Sequence, residues 1–276
     1  MQTDKVLSAN IIYNAERYGY HLKFNMENIG QYISYLSYDN VLIDNPVYLY
    51  KFFGRNTKSL NSLKENYLYF SDPRKFNDPF DCLVNRESYI KAQGLAMQQH
   101  RENIGVCSFS TVRDNPLMWG HYGNCFSGFC IKIKNDFANR KDIAVKSHVA
   151  YLENYNGTNP SLKKAIKAVD ELSLSDKEKN TIQTALKIAY EYCWKFHDWK
   201  YEKEYRVISI NALDFERKFT YDKNNVEEIY IGYRMKQDHP TYFKNLMRII
   251  RKHYRHAIIY EVEPNPIEVK LEFVEK

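Results

Sequence analysis

The chain has 276 residues and a formal net charge of +6, with 44% hydrophobic and 27% charged residues. These proportions fit an ordinary soluble globular protein able to bury a sizeable core, as one domain or one domain with insertions. No run approaches the roughly 18 apolar residues of a membrane span, and the first residues lack the charged-then-apolar layout of a signal peptide; no membrane partner and a cytoplasmic location are therefore expected.

The five cysteines, Cys82, Cys107, Cys125, Cys130 and Cys193, are odd in number and scattered. No pair has the short spacing of a zinc half-site, so reduced, mostly buried thiols and no bound metal are expected. The positive charge admits an anionic partner, nucleotide or nucleic acid, without specifying one.

Residues 1–45 contain no proline. Tyr13, Tyr18 and Tyr20, then Ile29, Tyr32, Ile33 and Leu36, read as three- and four-residue spacings and predict an N-terminal helical cap. After Pro46, residues 47–52 read as a strand, Asn56 to Ser59 as a capped turn, and Leu60 and Leu63 as a short helix running into extended Leu68 to Ser71. Phe76-Asn77-Asp78-Pro79-Phe80-Asp81 is a turn signature, because Asn and Asp bond local backbone and the residue before Pro is driven out of the helical region. Phe76 and Phe80 would pin this loop to the core, and ordered polar loops are where sites tend to be built. Residues 86–102 read as a helix.

Val106 to Ser110 reads as a strand, followed by a short helix from Pro116 that Asp114 or Asn115 would cap. Gly128 to Ile133 is the next strand. On the helix, Met118, Trp119 and Tyr122 recur at three and four residues and share neighbouring faces. Gly120 and Gly123 each cost roughly 1 kcal/mol in a helix interior relative to Ala, so the helix is short or lets another backbone or a ligand come close. Two readings follow: plain core, or a site with Met118 and Trp119 as the buried anchor and His121 and Tyr122 facing a ligand.

A further strand falls at 144–149 or 148–152. From Pro160 to about Trp199 a helical pair is expected, carrying Ala165, Ile166 and Val169, then Ile182, Leu186, Ala189, Tyr190 and Cys193. Ser175 with Glu178 three residues on is a capping box. Trp199 to Ser209 enters a strand with Glu202, Glu204 and Arg206 on one face and Tyr205 and Val207 on the other. Two carboxylates so placed repel unless solvated, paired with a cation, or serving a ligand; an edge strand with Arg206 bridging the acids is the plain alternative. Val226 to Gly232 is a strand, Asp238 caps a helix from His239 to Tyr254, Ala257 to Val262 is a strand, and Ile267 to Phe273 is a last edge strand. Strand–helix–strand suggests a right-handed crossover. There is no glycine-rich phosphate loop and no G-x-S-x-G.

On the blocks Asn77-Asp78-Pro79-Phe80-Asp81, Met118-Trp119 through Tyr122, and Glu202 through Arg206, residues 46–232 resemble a largely bacterial family catalogued as domain of unknown function 2971. More remotely, the order of parts is similar to the ADP-ribosyltransferase fold. That likeness implies an α+β protein with a mixed, mostly antiparallel sheet core, flanking helices and a helical insertion. In one domain, 1–45 would be the helical cap, 46–155 and 200–276 the core, and 156–199 the insertion on its flank.

The resemblance implies roles as well. Lys51 would take the place of the first-strand basic residue that meets the dinucleotide, where Arg or His is more usual. Tyr122 would stack on nicotinamide. Glu204 would hold the ribose 2′-OH, with Glu202 upstream in an E-x-E pair. Ser108 would lie on the second strand, and His121, Asn77, Asp78 and Arg206 complete the expected binding set. An oxocarbenium-like state is stabilised by a nearby carboxylate, aromatic stacking fixes the leaving ring, and a cation binds pyrophosphate. The expected function is an NAD-using ADP-ribosyltransferase or NAD-glycohydrolase-like enzyme, a bacterial toxin or anti-phage defence effector, with a protein or nucleic-acid acceptor. The alternatives are a metal-dependent nuclease using Asp78, Asp81, Glu202 and Glu204, or a non-catalytic nucleotide-binding module of a defence system.

Overall fold

Strand alternation, not helical spacing, governs the N-terminus. In the computed structural model, which describes residues 4–13, 16–27, 29, 32–78, 80–82, 103–136, 143–153, 160–210, 212 and 217–276, the region expected to be a helical cap is an antiparallel sheet. Its strands are β1 (Asp4–Tyr13), β2 (Glu16–Asn25), β3 (Tyr32–Tyr38) and β4 (Val41–Ile43). Along β2, Tyr18, Tyr20, Leu22 and Phe24 are buried while Arg17 and Lys23 are exposed, the period of two that a half-buried strand requires. The three- and four-residue spacings had joined residues of different strands. Between β3 and β4, Asp39 and Asn40 both take positive φ (47° and 66°) in a two-residue hairpin turn.

Among the described residues the main sheet has eight strands. In spatial order they are β16 (Lys270–Glu275), β15 (Ile258–Asn265), β14 (Val226–Gly232), β8 (Phe129–Lys134), β5 (Tyr48–Phe53), β7 (Gly105–Ser110), β12 (Glu204–Ser209) and β9 (Ile143–His148). Every neighbouring pair is antiparallel except β14 with β15, so the sheet is mixed and mostly antiparallel, as expected. Two smaller pairs flank it: β6 (Tyr67–Tyr69) with β13 (Lys218–Thr220), and β10 (Ala150–Leu152) with β11 (Trp194–Phe196). The helices are α1 (Thr57–Lys64), α2 (Pro116–His121), α3 (Pro160–Asp170), α4 (Asp176–Tyr192), α5 (Arg234–Asp238) and α6 (Pro240–His253). Among the described residues, no helix is long and apolar enough to cross a membrane.

Most expected elements stand within a few residues of their places, including the Ser175–Glu178 capping box at the start of α4. Three differ. Asp238 ends α5 instead of capping the next helix; α6 starts at Pro240 with His239 at its N-cap and no side-chain cap bond. The strand expected from Trp199 begins only at Glu204, because residues 197–202 form a 3-10 turn closed by left-handed Lys203 (φ 42°). β12 is an interior strand between β7 and β9, not an edge. The helix expected at 86–102 lies outside the described residues.

Side chains alternate between the two faces of the sheet. On one face Leu49, Ile131, Tyr205 and Ile229 pack beneath Leu63 of α1 and Leu246 and Ile250 of α6. On the other, Phe52, Cys130 and Tyr230 pack against Met118 and Trp119 of α2. Further along, Ile208 joins the α4 stripe and the N-terminal sheet. Each such large apolar side chain, fully buried, contributes roughly 1.5–3 kcal/mol. Between those last two apolar clusters β12 carries Glu204 and Arg206, and there the site lies. The helical insertion belongs to this core: Ile182, Leu186, Ala189 and Tyr192 are fully buried.

Candidate functional site

The helix α2 is set by its own short-range chemistry. The Asn115 carboxamide accepts from the Leu117 N–H and donates to the Tyr201 carbonyl at 2.8 Å, tying α2 to the turn before β12. Trp119 is fully buried and its indole N–H donates to the Arg113 carbonyl at 2.8 Å. After Tyr122 the chain reverses through Asn124, Cys125 and Phe126, all with left-handed φ (50°, 53°, 64°). Non-glycine residues there cost roughly 1–2 kcal/mol each. Backbone bonds from Cys125 to Gly120, Phe126 to Trp119 and Gly128 to Gly123 offset that cost.

Gly128 permits the close approach: a Cβ there would lie 2.2 Å from the Phe53 carbonyl and 2.8 Å from that of Gly123. Gly128→Ala is therefore expected to destabilise the fold by about 1–3 kcal/mol, the cost of overpacking, read as a lower urea midpoint. An unchanged midpoint would refute this account of the turn. Gly120 has nothing within 4 Å of such a position, so only the second of the two helix-region glycines expected to admit a neighbour does so, Gly123 against Trp119.

The cleft opens where the sheet splits. β5 and β7 pair at a single position, Tyr50 with Ser110. Past it the Ser108 carbonyl has no ladder partner from β5, and Lys51 supplies one, its ammonium donating at 2.8 Å. The cavity beside this split has a volume of about 160 Å³ and is lined by Lys51, Asn77, Ser108, Tyr122, Glu202 and Glu204, together with Asp81, Lys195 and apolar walls from Phe52, Phe76 and Met118. Lys51 also lines a second cavity of about 570 Å³ with Lys58, Lys218 and Asn56.

The cavity floor is a buried charge network. Arg206, fully buried, donates from Nε to Glu204 Oε1 at 2.8 Å and from Nη2 to Asp81 Oδ2 at 2.7 Å; Nη1 reaches the Tyr192 carbonyl at 2.6 Å. Lys195 lies 2.6 Å from Glu202 and 3.5 Å from both Glu204 and Asp81. The Glu204 backbone N–H donates to the Tyr151 hydroxyl at 2.7 Å. Tyr122 donates its phenol proton to Glu202 Oε1 at 2.5 Å.

This arrangement drives the two glutamates apart in acidity. Burial raises the Glu204 pKa, but Arg206 and Lys195, with a hydrogen bond from Ser108, outweigh it and hold the carboxyl well below the usual carboxylate range. Burial and the neighbouring Glu204 charge push Glu202 up, with Lys195 and Tyr122 offsetting part of the rise. Lys195 loses from burial but gains more from Glu204, Asp81 and Glu202, so it stays cationic. The result is one carboxylate held as an anion and one whose pKa is raised, the kind of divergence that separates acid from base roles where two carboxyls share a site.

Six of the nine expected site residues thus line one cavity. Three do not. His121 is exposed and faces the Tyr201 ring at 6.0 Å. Asp78 is buried as a loop cap, its Oδ1 accepting the Phe80 N–H at 2.9 Å. Arg206 sits behind Glu204, out of the cavity; it bridges Glu204 to Asp81, while Lys195 joins the two glutamates. Lys195 and Tyr151 were absent from the expected residues, and Asp81 was expected only as a metal-binding acid of the nuclease alternative. The unpaired E-x-E was the available signal, since buried acids demand cations. Of the acids expected to bind a metal in a nuclease, Asp81 and Glu204 pair with Arg206 and Lys195, and Asp78 caps its own loop. Among the described residues, no group of three or more His, Cys, Asp or Glu side chains could hold one.

Residues 118–207 match the model of a family described as Protein of unknown function (DUF2971). This stretch is similar to that family. It is shorter than the expected 46–232 and runs from Met118 to Val207, so it contains Tyr122, Lys195, Glu202, Glu204 and Arg206 but neither Lys51, Asp81 nor Ser108. Most of the charge network is therefore internal to the matched segment, and the split-strand wall comes from the chain before it. No curated protein and no solved structure matches the chain.

Proposed function

We propose that the cleft breaks the nicotinamide–ribose bond of NAD, as an ADP-ribosyltransferase or NAD-glycohydrolase-like enzyme. One observation carries this reading: Lys51, Tyr122, Glu202 and Glu204 line a single cavity in which Glu204 is held ionised and Glu202 is pushed up. The bond from ribose C1′ to the pyridinium nitrogen breaks, its electron pair leaving with neutral nicotinamide. The Glu204 carboxylate stabilises the developing oxocarbenium charge. An acceptor hydroxyl, of water, protein or nucleic acid, adds at C1′ and Glu202 takes its proton. Tyr122, with its hydroxyl fixed on Glu202, offers its ring beside both carboxylates to the nicotinamide.

Size is consistent with this partition. A cavity of about 160 Å³ falls short of the roughly 300–1,000 Å³ of a whole-ligand pocket, so it takes the nicotinamide end alone. Lys51 leads to the larger cavity, where Lys58 and Lys218 suit the pyrophosphate and the rest of the dinucleotide.

The test is incubation with NAD across a pH series, following nicotinamide release. A base with a raised pKa becomes available as pH rises, so release should climb along a limb lying above the ordinary glutamate pKa of about 4.3. Glu202→Gln should flatten that limb. Release at background for the native protein, or a limb that survives the substitution, would end this assignment.

A further inference from the structure

We propose that the outer face of α6 is a docking surface for the phosphate backbone of duplex DNA. The face carries Lys244, Arg248, Arg251 and Lys252 at helical spacing, with Arg255 just past the last turn, and all five are exposed. They line one groove of about 580 Å³ over the partly buried Phe243 and Met247. No acidic residue occurs between Asp238 and Glu261. Among the described residues none of the five forms an ion pair; Arg255 Nε donates to the Arg251 carbonyl at 2.9 Å. The positive field reaches further, since Lys223, Lys252 and Lys64 add to burial in lowering the His253 pKa.

Such a stripe is unfavourable for the helix itself. Like charges three and four apart cost a few tenths of a kcal/mol per pair, roughly 0.2–0.5. The helix dipole rewards cations only in the last turn, which accounts for Arg251 and Lys252 but not for Lys244 and Arg248. A polyanion offsets the repulsion along the whole row. From Lys244 to Lys252 the helix rises about 12 Å, the length of between three and four phosphates of one DNA strand at about 3.4 Å each, and Arg255 extends it.

Other polyanions fit less well. Single strands need exposed aromatic rings to stack on, yet Phe243 packs inward and the Tyr242 hydroxyl is tied to the Asn56 carbonyl. A bilayer needs apolar side chains to insert, and no exposed large hydrophobic residue lies on α6. The inference stands apart from the chemistry of the cleft and does not need NAD to be its substrate.

The test is fluorescence anisotropy with a labelled duplex of about 20 base pairs, titrated at salt concentrations from about 50 to 200 mM. The native protein should bind, with log affinity falling linearly in log salt. Lys244→Gln, Arg248→Gln, Arg251→Gln and Arg255→Gln combined should weaken binding more than tenfold and flatten the slope by about 0.9 for each phosphate no longer neutralised. Gln keeps most of the helix propensity, and an unchanged melting temperature is the folding control. Absence of duplex binding at the lowest salt overturns the proposal, as does an unaltered slope in the variant. Equal or tighter binding to single-stranded DNA, to anionic vesicles or to polyglutamate also overturns it.

Discussion

Glu204→Gln is expected to lower nicotinamide release by roughly 10²–10³-fold, the usual cost of removing one preorganised electrostatic stabiliser. The change keeps shape and removes charge. Glu204 lies at the cavity floor, ionised because Arg206 and Lys195 face it, whereas Glu202 is pushed the other way. On the proposed reading KM should move little, since the charge would matter when the C1′–nitrogen bond is breaking. The substitution also touches the fold. A carboxamide offers one oxygen where Arg206 Nε and Nη2 used two, at 2.8 and 3.0 Å, and its NH₂ group faces cations. Activity must therefore be compared on folded protein, by melting curves run alongside. Glu204→Asp separates the effects, because it keeps the charge and withdraws it by one methylene from the cavity. On the proposed reading both variants lose turnover and only Gln loses acidity. Native rates in folded Glu204→Gln would remove Glu204 from the chemistry.

How much of this was legible in the sequence depended on range. The Ser175–Glu178 capping box and the short proline-started helix at Pro116 rest on contacts within four residues, and both stand. The N-terminal sheet was also written locally, in the alternation Tyr18, Tyr20, Leu22, Phe24 and in the Asp39-Asn40 turn. Sampling tyrosines at wider intervals hid it. The site is a different matter. Lys51, Tyr122, Glu202 and Glu204 were reached through a resemblance, and they do line one cavity, but the residues that give them their charge states come from afar. Lys195 arrives on the strand after α4, in a segment expected to sit on the flank, and Asp81 from the Asn77–Asp81 loop. A period in the sequence specifies which face a residue takes, not which distant element meets it. What could have been inferred is that two buried glutamates require cations, and that a lone Arg206 was one too few.

Removal of that arginine should have the largest effect on stability. Arg206→Met is expected to cost about 3–5 kcal/mol, because it leaves Asp81 and Glu204 buried with only Lys195 between them. It also strips the Tyr192 carbonyl at the end of α4 of its donor. Arg206→Lys should recover a part only, since an ammonium lacks the planar fork that reaches Glu204 and Asp81 together. The pH dependence separates charge from packing. In the native protein Glu204 has a depressed pKa, so its stabilising contribution is complete above the unfolded value of about 4.3 and is lost as pH falls through the lower folded value. Without Arg206, burial dominates and the folded pKa of Glu204 moves up; the variant then loses stability as pH rises from the unfolded value to the new folded one. The gap between native and variant proteins in urea unfolding must therefore be widest near neutrality and narrow as pH falls below about 4. A gap that stayed constant across that range would mean Arg206 acts by filling space. A narrowing gap means that the cation keeps Glu204 ionised beneath the cleft, and the stability of the core and the charge of the site then share one residue.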